Sequence, residues 1–363
     1  MAKQSALIDF DKRQGAVLAE RGGWLLPMHF GNLAAEYDAA RGSVGLIDLS
    51  HRGLLQITGP DRVTFLQGML SNDLQALRPF EGHYATILNQ QGKVLADLRV
   101  LCAMNSLYLD FWEPLKDKIV AHLNRYLVAD EVEIADRTDE YAMLSLQGPR
   151  SEALLAELAG DAQPPEQLAH HAMFNAEGAA ICAVRSSHTG EPGFDLIIPK
   201  TGLVSVAQRL TEIGRRFAAA WIGEEALEIL RVEAGIPIYG TDITEDNLLL
   251  ETGLETHVSF TKGCYLGQEI VERVRSRGHV NRKLLGLLIS GATPARHGDA
   301  IRADEKQVGT ITSSVNSPRL SCAIALGYIH RDHWEPGTQV TVSSLAGLTT
   351  ALVTEPPFVR TGP

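Results

Sequence analysis

The sequence predicts an α+β fold: two tandem, related α+β units with mainly antiparallel sheets around a central cavity, then a C-terminal all-β barrel. Three observations predict it. A strand, a Gly-Pro turn and a helix occur twice, with the turn glycines at Gly59 and Gly148. Similar strands and a further helix follow each copy. From Leu284 onward the chain becomes short strands divided by Gly, Pro and Asn turns.

The first copy reads Leu54–Thr58 as a strand and Asp61–Leu70 as a helix, with Asp61 as its cap. Strands follow around 84–89, 93–103 and 107–112. A helix then starts at Pro114, with Leu115, Ile119, Leu123 and Leu127 at helical spacing. The second copy reads Met143–Gln147 as a strand and continues into a helix carrying Leu154, Leu155 and Leu158. Strands around 180–186 and 193–199 follow, then a helix with Leu203, Val206, Leu210 and Ile213. Further helices are predicted over 223–234 and 267–274, with a loop-rich 235–262 between them. These signals place the units at 1–137 and 138–262, a Cys-containing and basic linker at 263–283, and the barrel at 284–363.

Composition narrows the function before any motif does. The 363 residues suit two or three domains, because one core rarely grows beyond ~250–300 residues. Hydrophobic residues at 45% and charged residues at 21% exclude disorder and coiled coil. The formal charge of -11 argues against a surface that coats nucleic acid or an anionic membrane. No apolar run approaches the ~20 residues that cross a bilayer, and the first residues lack a secretory h-region. The four cysteines, Cys102, Cys182, Cys264 and Cys322, form no C-x-x-C pair, so a reducing cytoplasm is the expected setting. No phosphate loop, dinucleotide glycine fingerprint or H-E-x-x-H is present.

Five stretches can carry chemistry. Asn89–Leu98 forms a hairpin whose following strand holds the acid Asp97 among apolar neighbours. Ser187–Asp195, taken as the matching hairpin of the second copy, carries Glu191, and a carboxylate suits a heterocycle with two parallel N–H donors. In Leu230–Asp242, Arg231 can hold a carboxylate and Tyr239 can stack on a flat ring, although a structural salt bridge explains Arg231 equally well. Lys262–Glu269 sets Cys264 between glycines, beside a lysine and ahead of a helix, an arrangement that favours thiolate. Glu272–Lys283 is locally basic and suits phosphates, a glutamate tail or RNA, or else a solvated face paired with Glu269 and Glu272.

At these residues the sequence resembles the tetrahydrofolate-binding superfamily of the glycine cleavage T-protein (aminomethyltransferase) and the YgfZ protein. GLIDLSHRGLLQITGPDRVTFLQGMLSNDL, SHTGEPGFDL and LRVEAGIPIYGTDI resemble patterns of both branches. KGCYLGQEIVERVRSRG is similar to the signature of the YgfZ branch, covering Lys262, Gly263, Cys264, Tyr265, Gly267, Gln268 and Glu269. The resemblance implies tetrahydrofolate in a central cavity, Glu191 on the pterin edge and Asp97 near the reactive nitrogens. It also implies Tyr84, Arg231 and Tyr239 as pocket residues and Cys264 as the reactive motif cysteine. Two departures stand out: Ala96-Asp97 replaces the two adjacent acids usual in T-proteins, and Trp112-Glu113 replaces their Asn-Ala pair. They bear on aminomethyl transfer, not on folate binding.

The expected function is a YgfZ-type folate-binding protein acting in assembly or repair of iron–sulfur proteins, including those that modify tRNA. The alternative is a folate-dependent aminomethyltransferase, in which Asp97 assists one-carbon transfer. A third reading is RNA contact through Arg273, Arg275, Arg277, Arg282 and Lys283. Expected partners are a reduced folate and iron–sulfur clients, with no metal ligand set and no membrane.

Overall fold

A computed structural model describes residues 2–344 and 347–360. The chain packs as two units. The first comprises Met1–Ile87, Ala96–Leu227 and His257–Tyr265; the second comprises Leu88–Leu95, Glu228–Thr256 and Leu266–Pro363. This partition follows packing rather than the sequence boundary at 137/138, and both predicted halves contribute to the first unit.

The first unit opens with β1 (Lys3–Gln4), α1 (Ile8–Arg13), β2 (Val17–Arg21) and β3 (Trp24–His29), whose strands form a small sheet in the order β1-β3-β2. Helix α2 (Leu33–Gly42) follows, capped by the Asn32 side chain, which accepts from the Ala35 N–H. Then come β4 (Gly45–Asp48), β5 (Arg52–Thr58), α3 (Arg62–Met69), β6 (Gly82–Leu88), β7 (Val94–Cys102), β8 (Leu107–Trp112), α4 (Lys116–Tyr126) and β9 (Glu133–Asp136). The second copy supplies β10 (Tyr141–Gln147), α5 (Ser151–Ala159), β11 (His171–Ala176), β12 (Ala179–Arg185), β13 (Gly193–Pro199), α6 (Leu203–Gly214) and β14 (Ala220–Trp221).

The repeat is real at the level of topology. One sheet runs β6-β7-β8-β5-β9, the other β11-β12-β13-β10-β4-β14. The first four strands of each occupy the same places in the same chain order. The shared Gly-Pro turns have a steric cause. Gly59 and Gly148 adopt φ of 102° and 139°, and an added Cβ would meet Glu131 O at 2.0 Å and Ser43 O at 2.3 Å. On α6, Leu203, Val206, Leu210 and Ile213 are each at most 1% exposed and pack with Leu154, Leu155, Leu144 and Leu196 in one core. Each such side chain contributes about 1.5–3 kcal/mol on burial.

Three expectations are corrected. Ser187–Asp195 spans the β12–β13 connection, so its counterpart is the β7–β8 connection near residue 104, not the turn after Asn89. Strand β11 escaped the sequence because Met173 and Asn175 point outward and dilute its pattern. Asp61 does sit ahead of α3, but its carboxylate accepts from the Glu131 N–H at 2.8 Å and makes no cap bond. Strand β4 from the N-terminal part pairs antiparallel with β10 of the second sheet.

In the second unit, α7 (Glu224–Glu233, from Glu228 onward) precedes a loop-rich stretch and α8 (Gln268–Arg277). Strands β15 (Arg282–Ile289), β16 (Ala300–Ala303), β17 (Lys306–Ser317), β18 (Cys322–His330), β19 (Gln339–Ser344) and β20 (Gly347–Thr354) form the predicted barrel, closed in the order β15-β18-β17-β16-β19-β20. Leu285, Leu287, Ile289, Ile311 and Val340 fill its interior. Alternate residues Leu284, Ile324, Leu326 and Tyr328 pack outside it with Val232 and Ile229. Among the described residues no helix is long and apolar enough to cross a membrane.

Candidate functional site

The charge that matters lies inside the first unit. Strand β7 alternates, so Ala96 and Leu98 enter the apolar core while Asp97 and Arg99 share the opposite face. Arg99 faces Asp110 directly across the β7–β8 pair. Its guanidinium lies 2.7 Å from Asp110 Oδ2 and 2.8 Å from Asp195 Oδ2, joining a strand of each sheet. Arg52 Nε donates to Asp110 Oδ1 at 2.5 Å. Two arginines and two aspartates thus balance, as buried charge requires. Arg99 is 1% exposed, and its Nε has no hydrogen-bond acceptor among the described residues. The cluster therefore has an unmet donor to offer.

Asp97 and Tyr84 belong to this cluster. Burial raises the Asp97 carboxyl above its ordinary range, while Arg52 opposes that rise and Asp110 adds to it. Burial likewise pushes the Tyr84 phenol up, and it feels Arg99, Asp195, Arg52 and Asp110. The Tyr84 ring lies 5.0 Å from that of His257. At Asp195 burial acts upward, but His188 and Arg99 outweigh it and hold the carboxyl well below the usual carboxylate range.

The Ser187–Asp195 connection closes the site. Gln147 Oε1 accepts from the His188 N–H at 2.8 Å, and the Ser187 hydroxyl donates to Glu191 O at 2.7 Å. Arg41 Nη1 holds Glu191 Oε1 at 2.9 Å and also reaches Thr189 O at 3.2 Å. Glu191 is therefore a buried, charge-balanced carboxylate. His188 Nε2 lies 3.0 and 3.1 Å from the two Asp195 oxygens, tying this loop to the Arg99 cluster.

The remaining candidates behave differently. Arg231 spends all its N–H groups within the second unit. It contacts Glu228 through Nε and Nη2, Asp242 Oδ2 through Nη1 at 2.7 Å, Ile236 O at 3.3 Å and Ser313 Oγ at 2.6 Å. The structural salt bridge is the correct account, and no donor is left for a ligand carboxylate. The Tyr239 hydroxyl donates to Val94 O at 3.2 Å. Lys262 does not serve the Cys264 thiol. Its ammonium donates to Gln67 O, Leu70 O and Asn72 O at 2.8, 2.7 and 2.8 Å and lies 5.1 Å from the Tyr265 ring centre. Gly263 and Cys264 are exposed, and Tyr265 is buried. Gly267 is the cap residue of α8, which Gln268 and Glu269 begin.

In the basic segment, Arg273 pairs with Glu269 and Arg275 with Glu272, while Arg282 reaches Glu251 at 3.2 Å. Lys283 lies over the Trp334 ring, and the Arg277 side chain is outside the described residues. A cavity of about 290 Å³ on the barrel is lined by Arg282, Tyr328, His330 and neighbours, and no residue of the Arg99 cluster lines it. Among the described residues no group of three or more His, Cys, Asp or Glu side chains could hold a metal ion.

Sequence analysis missed Arg41, Arg52, Arg99, Asp110, His188 and Asp195. A signal existed: Arg99 and Asp195 are charges inside otherwise apolar strand runs, LADLRVL and GFDLII.

Comparison with known proteins fits this architecture. Residues 7–262 match the GCVT N-terminal domain, and residues 282–360 match the glycine cleavage T-protein C-terminal barrel domain. An aminomethyltransferase of Halothermothrix orenii is 30% identical over 357 residues, covering 98% of this chain and all of that protein. The Bacillus subtilis aminomethyltransferase is 29% identical, covering 99% of this chain and all of that protein. The crystal structure of glycine cleavage system aminomethyltransferase T from Bartonella henselae superposes with a TM-score of 0.90 at 26% identity, covering 99% of each chain. The chain belongs to the glycine cleavage T-protein family.

Proposed function

We propose that this chain binds tetrahydrofolate at the Arg99 cluster and acts as a folate-dependent aminomethyl (one-carbon) transferase, with its two related halves each supplying part of the site. One observation carries the reading: Asp97, an acid raised by burial, stands beside a charge-balanced cluster that retains an unmet Arg99 donor. That pairing suits a polar heterocycle with both donors and acceptors. Reduced folate supplies the nucleophilic nitrogens that take up a one-carbon unit. Glu191, paired with Arg41, would hold the pterin N–H edge, and Asp97 would hold or move a proton near the reacting nitrogens. The full-length likeness to aminomethyltransferases supports transfer chemistry.

A YgfZ-type role in iron–sulfur and tRNA-modifying systems is the second reading, favoured by the 262–269 segment. There Lys262 is spent on the backbone and Cys264 is left exposed. Ala96 and Trp112 also stand where the resembled transferases usually carry an acid and an amide. RNA contact through Arg273–Lys283 belongs to this reading and would appear as salt-dependent tRNA binding.

Titration with tetrahydrofolate tests the shared part. Glu191→Ala should weaken binding by roughly tenfold or more; unchanged affinity would overturn its assignment. Asp97→Asn should leave affinity within about threefold yet abolish methylene-tetrahydrofolate formation from an aminomethyl donor. Absence of that product with the native chain, together with loss of iron–sulfur enzyme rescue in Cys264→Ser, would select the second reading.

A further inference from the structure

His188 and Asp195 form a pair that neither the family resemblance nor the candidate site residues assign. Asp195 is fully buried, and both its oxygens lie within 3.1 Å of His188 Nε2. The opposite side of Asp195 is taken by Arg99 at 2.8 Å. In the neutral ring the carboxylate therefore fixes the tautomer, with the proton on Nε2 and the lone pair on Nδ1. Among the described residues no group hydrogen-bonds Nδ1, and the side chain is 24% exposed while its partner is buried. The ring is thus anchored at one nitrogen, its other nitrogen has no hydrogen-bond partner among the described residues, and it lies on the same connection that holds Glu191.

We propose that His188, oriented by Asp195, is a second proton-handling group of the folate site beside Asp97 and takes an N–H of the reduced pterin at Nδ1. The inference rests on the folate reading and deepens it. When a ligand nitrogen uses its lone pair to bond carbon, the bond from that carbon to its leaving group breaks and the pair departs with the group. The nitrogen then sheds one proton. His188 Nδ1 receives it, and the imidazolium sits against the Asp195 carboxylate. The departing group takes the proton back, so the dyad returns to its starting state.

The surrounding groups are paired or neutral. Arg52, Arg99 and Asp110 on β5, β7 and β8 form the balanced cluster, and Arg41 is paired with Glu191. Nearby His51 is pushed down to about 3 by burial, with Arg52 and Arg21 lowering it further, so it stays neutral. Burial of Tyr84 keeps its phenol protonated.

The test is tetrahydrofolate affinity of the full chain, with methylene-tetrahydrofolate formation read beside it. His188→Leu should bind roughly tenfold more weakly, because it offers the pterin N–H no acceptor. His188→Asn, whose amide oxygen lies near the Nδ1 position, should regain affinity but not turnover, since an amide accepts a hydrogen bond but does not take up the proton; regained affinity also shows that the loop still folds. A His188→Leu chain that keeps the native affinity and turnover would overturn the dyad alone. Failure of the native chain to bind tetrahydrofolate at any pH would overturn the folate reading and the dyad with it.

Discussion

Arg99 stands between Asp110 and Asp195 at 1% exposure, so its removal leaves two buried carboxylates with weaker compensation. Breaking such a pair typically costs about 3–5 kcal/mol, whereas surface pairs contribute ~0–1 kcal/mol. Arg99→Met should therefore lower the urea midpoint strongly at neutral pH. The sign with pH follows from proton linkage. In the native chain the Asp195 carboxyl lies below its unfolded value near 3.9, so its stabilisation is present above that pH and is lost only as pH falls through the folded value. Without the arginine, burial weighs against the ionised Asp195 carboxyl with only His188 left to oppose it, so its value rises and the penalty grows with pH. The deficit of Arg99→Met should shrink on going from about pH 7 to about pH 5. Unfolding curves at both pH values check this, and a deficit that does not change with pH would refute the electrostatic account.

Helix α3 shows how an element can recruit a distant side chain. Gln67 O and Leu70 O lie at its C-terminal end, where carbonyls lack intrahelical partners, and Lys262 satisfies both together with Asn72 O. Burial lowers this lysine to about 8, so at neutral pH it is still an ammonium suited to a helix C-terminus. Lys262→Met should destabilise the chain by roughly 2 kcal/mol, because buried carbonyls lose their donor. Alkylation of Cys264 should keep its native rate, since the ammonium serves the carbonyls; a slower reaction would return the lysine to the thiol. Elements of this kind mark the limit of what the sequence discloses. The helical spacing of Leu203, Val206, Leu210 and Ile213 and the turn glycines Gly59 and Gly148 are local signals, and they revealed α6 and the repeat. Asp97, Tyr84 and Glu191 could be nominated from motifs. Arg99 and Asp195 showed locally only as charges in apolar strand runs; their pairing, and that of Arg41, could not be read, because each joins residues from separate strands or helices and the pairing exists only once the sheets form. Arg231 shows the converse: its motif position suggested a ligand contact, and folding saturated it with Glu228, Asp242 and Ser313.

At the scale of the molecule, chain order and packing disagree, and this bears on how the barrel can be handled. The second unit takes Leu88–Leu95 and Glu228–Thr256 as well as the C-terminal segment. The barrel has one interior core, yet its outer face is also apolar, with Leu284, Val315, Ile324, Leu326 and Tyr328 buried against Val232 and Ile229. Polar ties reinforce that contact. Ser317 Oγ donates to Glu233 Oε1 at 2.5 Å, the Phe358 N–H donates to Glu233 O at 2.8 Å, and Thr312 and Ser313 donate to Asp242 Oδ1 at 2.5 and 2.7 Å. A fragment starting at residue 284 keeps every barrel strand except the first two residues of β15 but loses this cover. It should expose a contiguous apolar patch together with hydroxyls stripped of their acceptors, and such patches drive association. The expected result is strong binding of a hydrophobic dye, concentration-dependent aggregation and a broad thermal transition. A fragment starting at residue 224 restores α7 and Asp242 and should melt more sharply with less dye binding. If the shorter fragment is monomeric, dye-free and sharply cooperative, closure of the six strands suffices for stability and the α7 cover is dispensable.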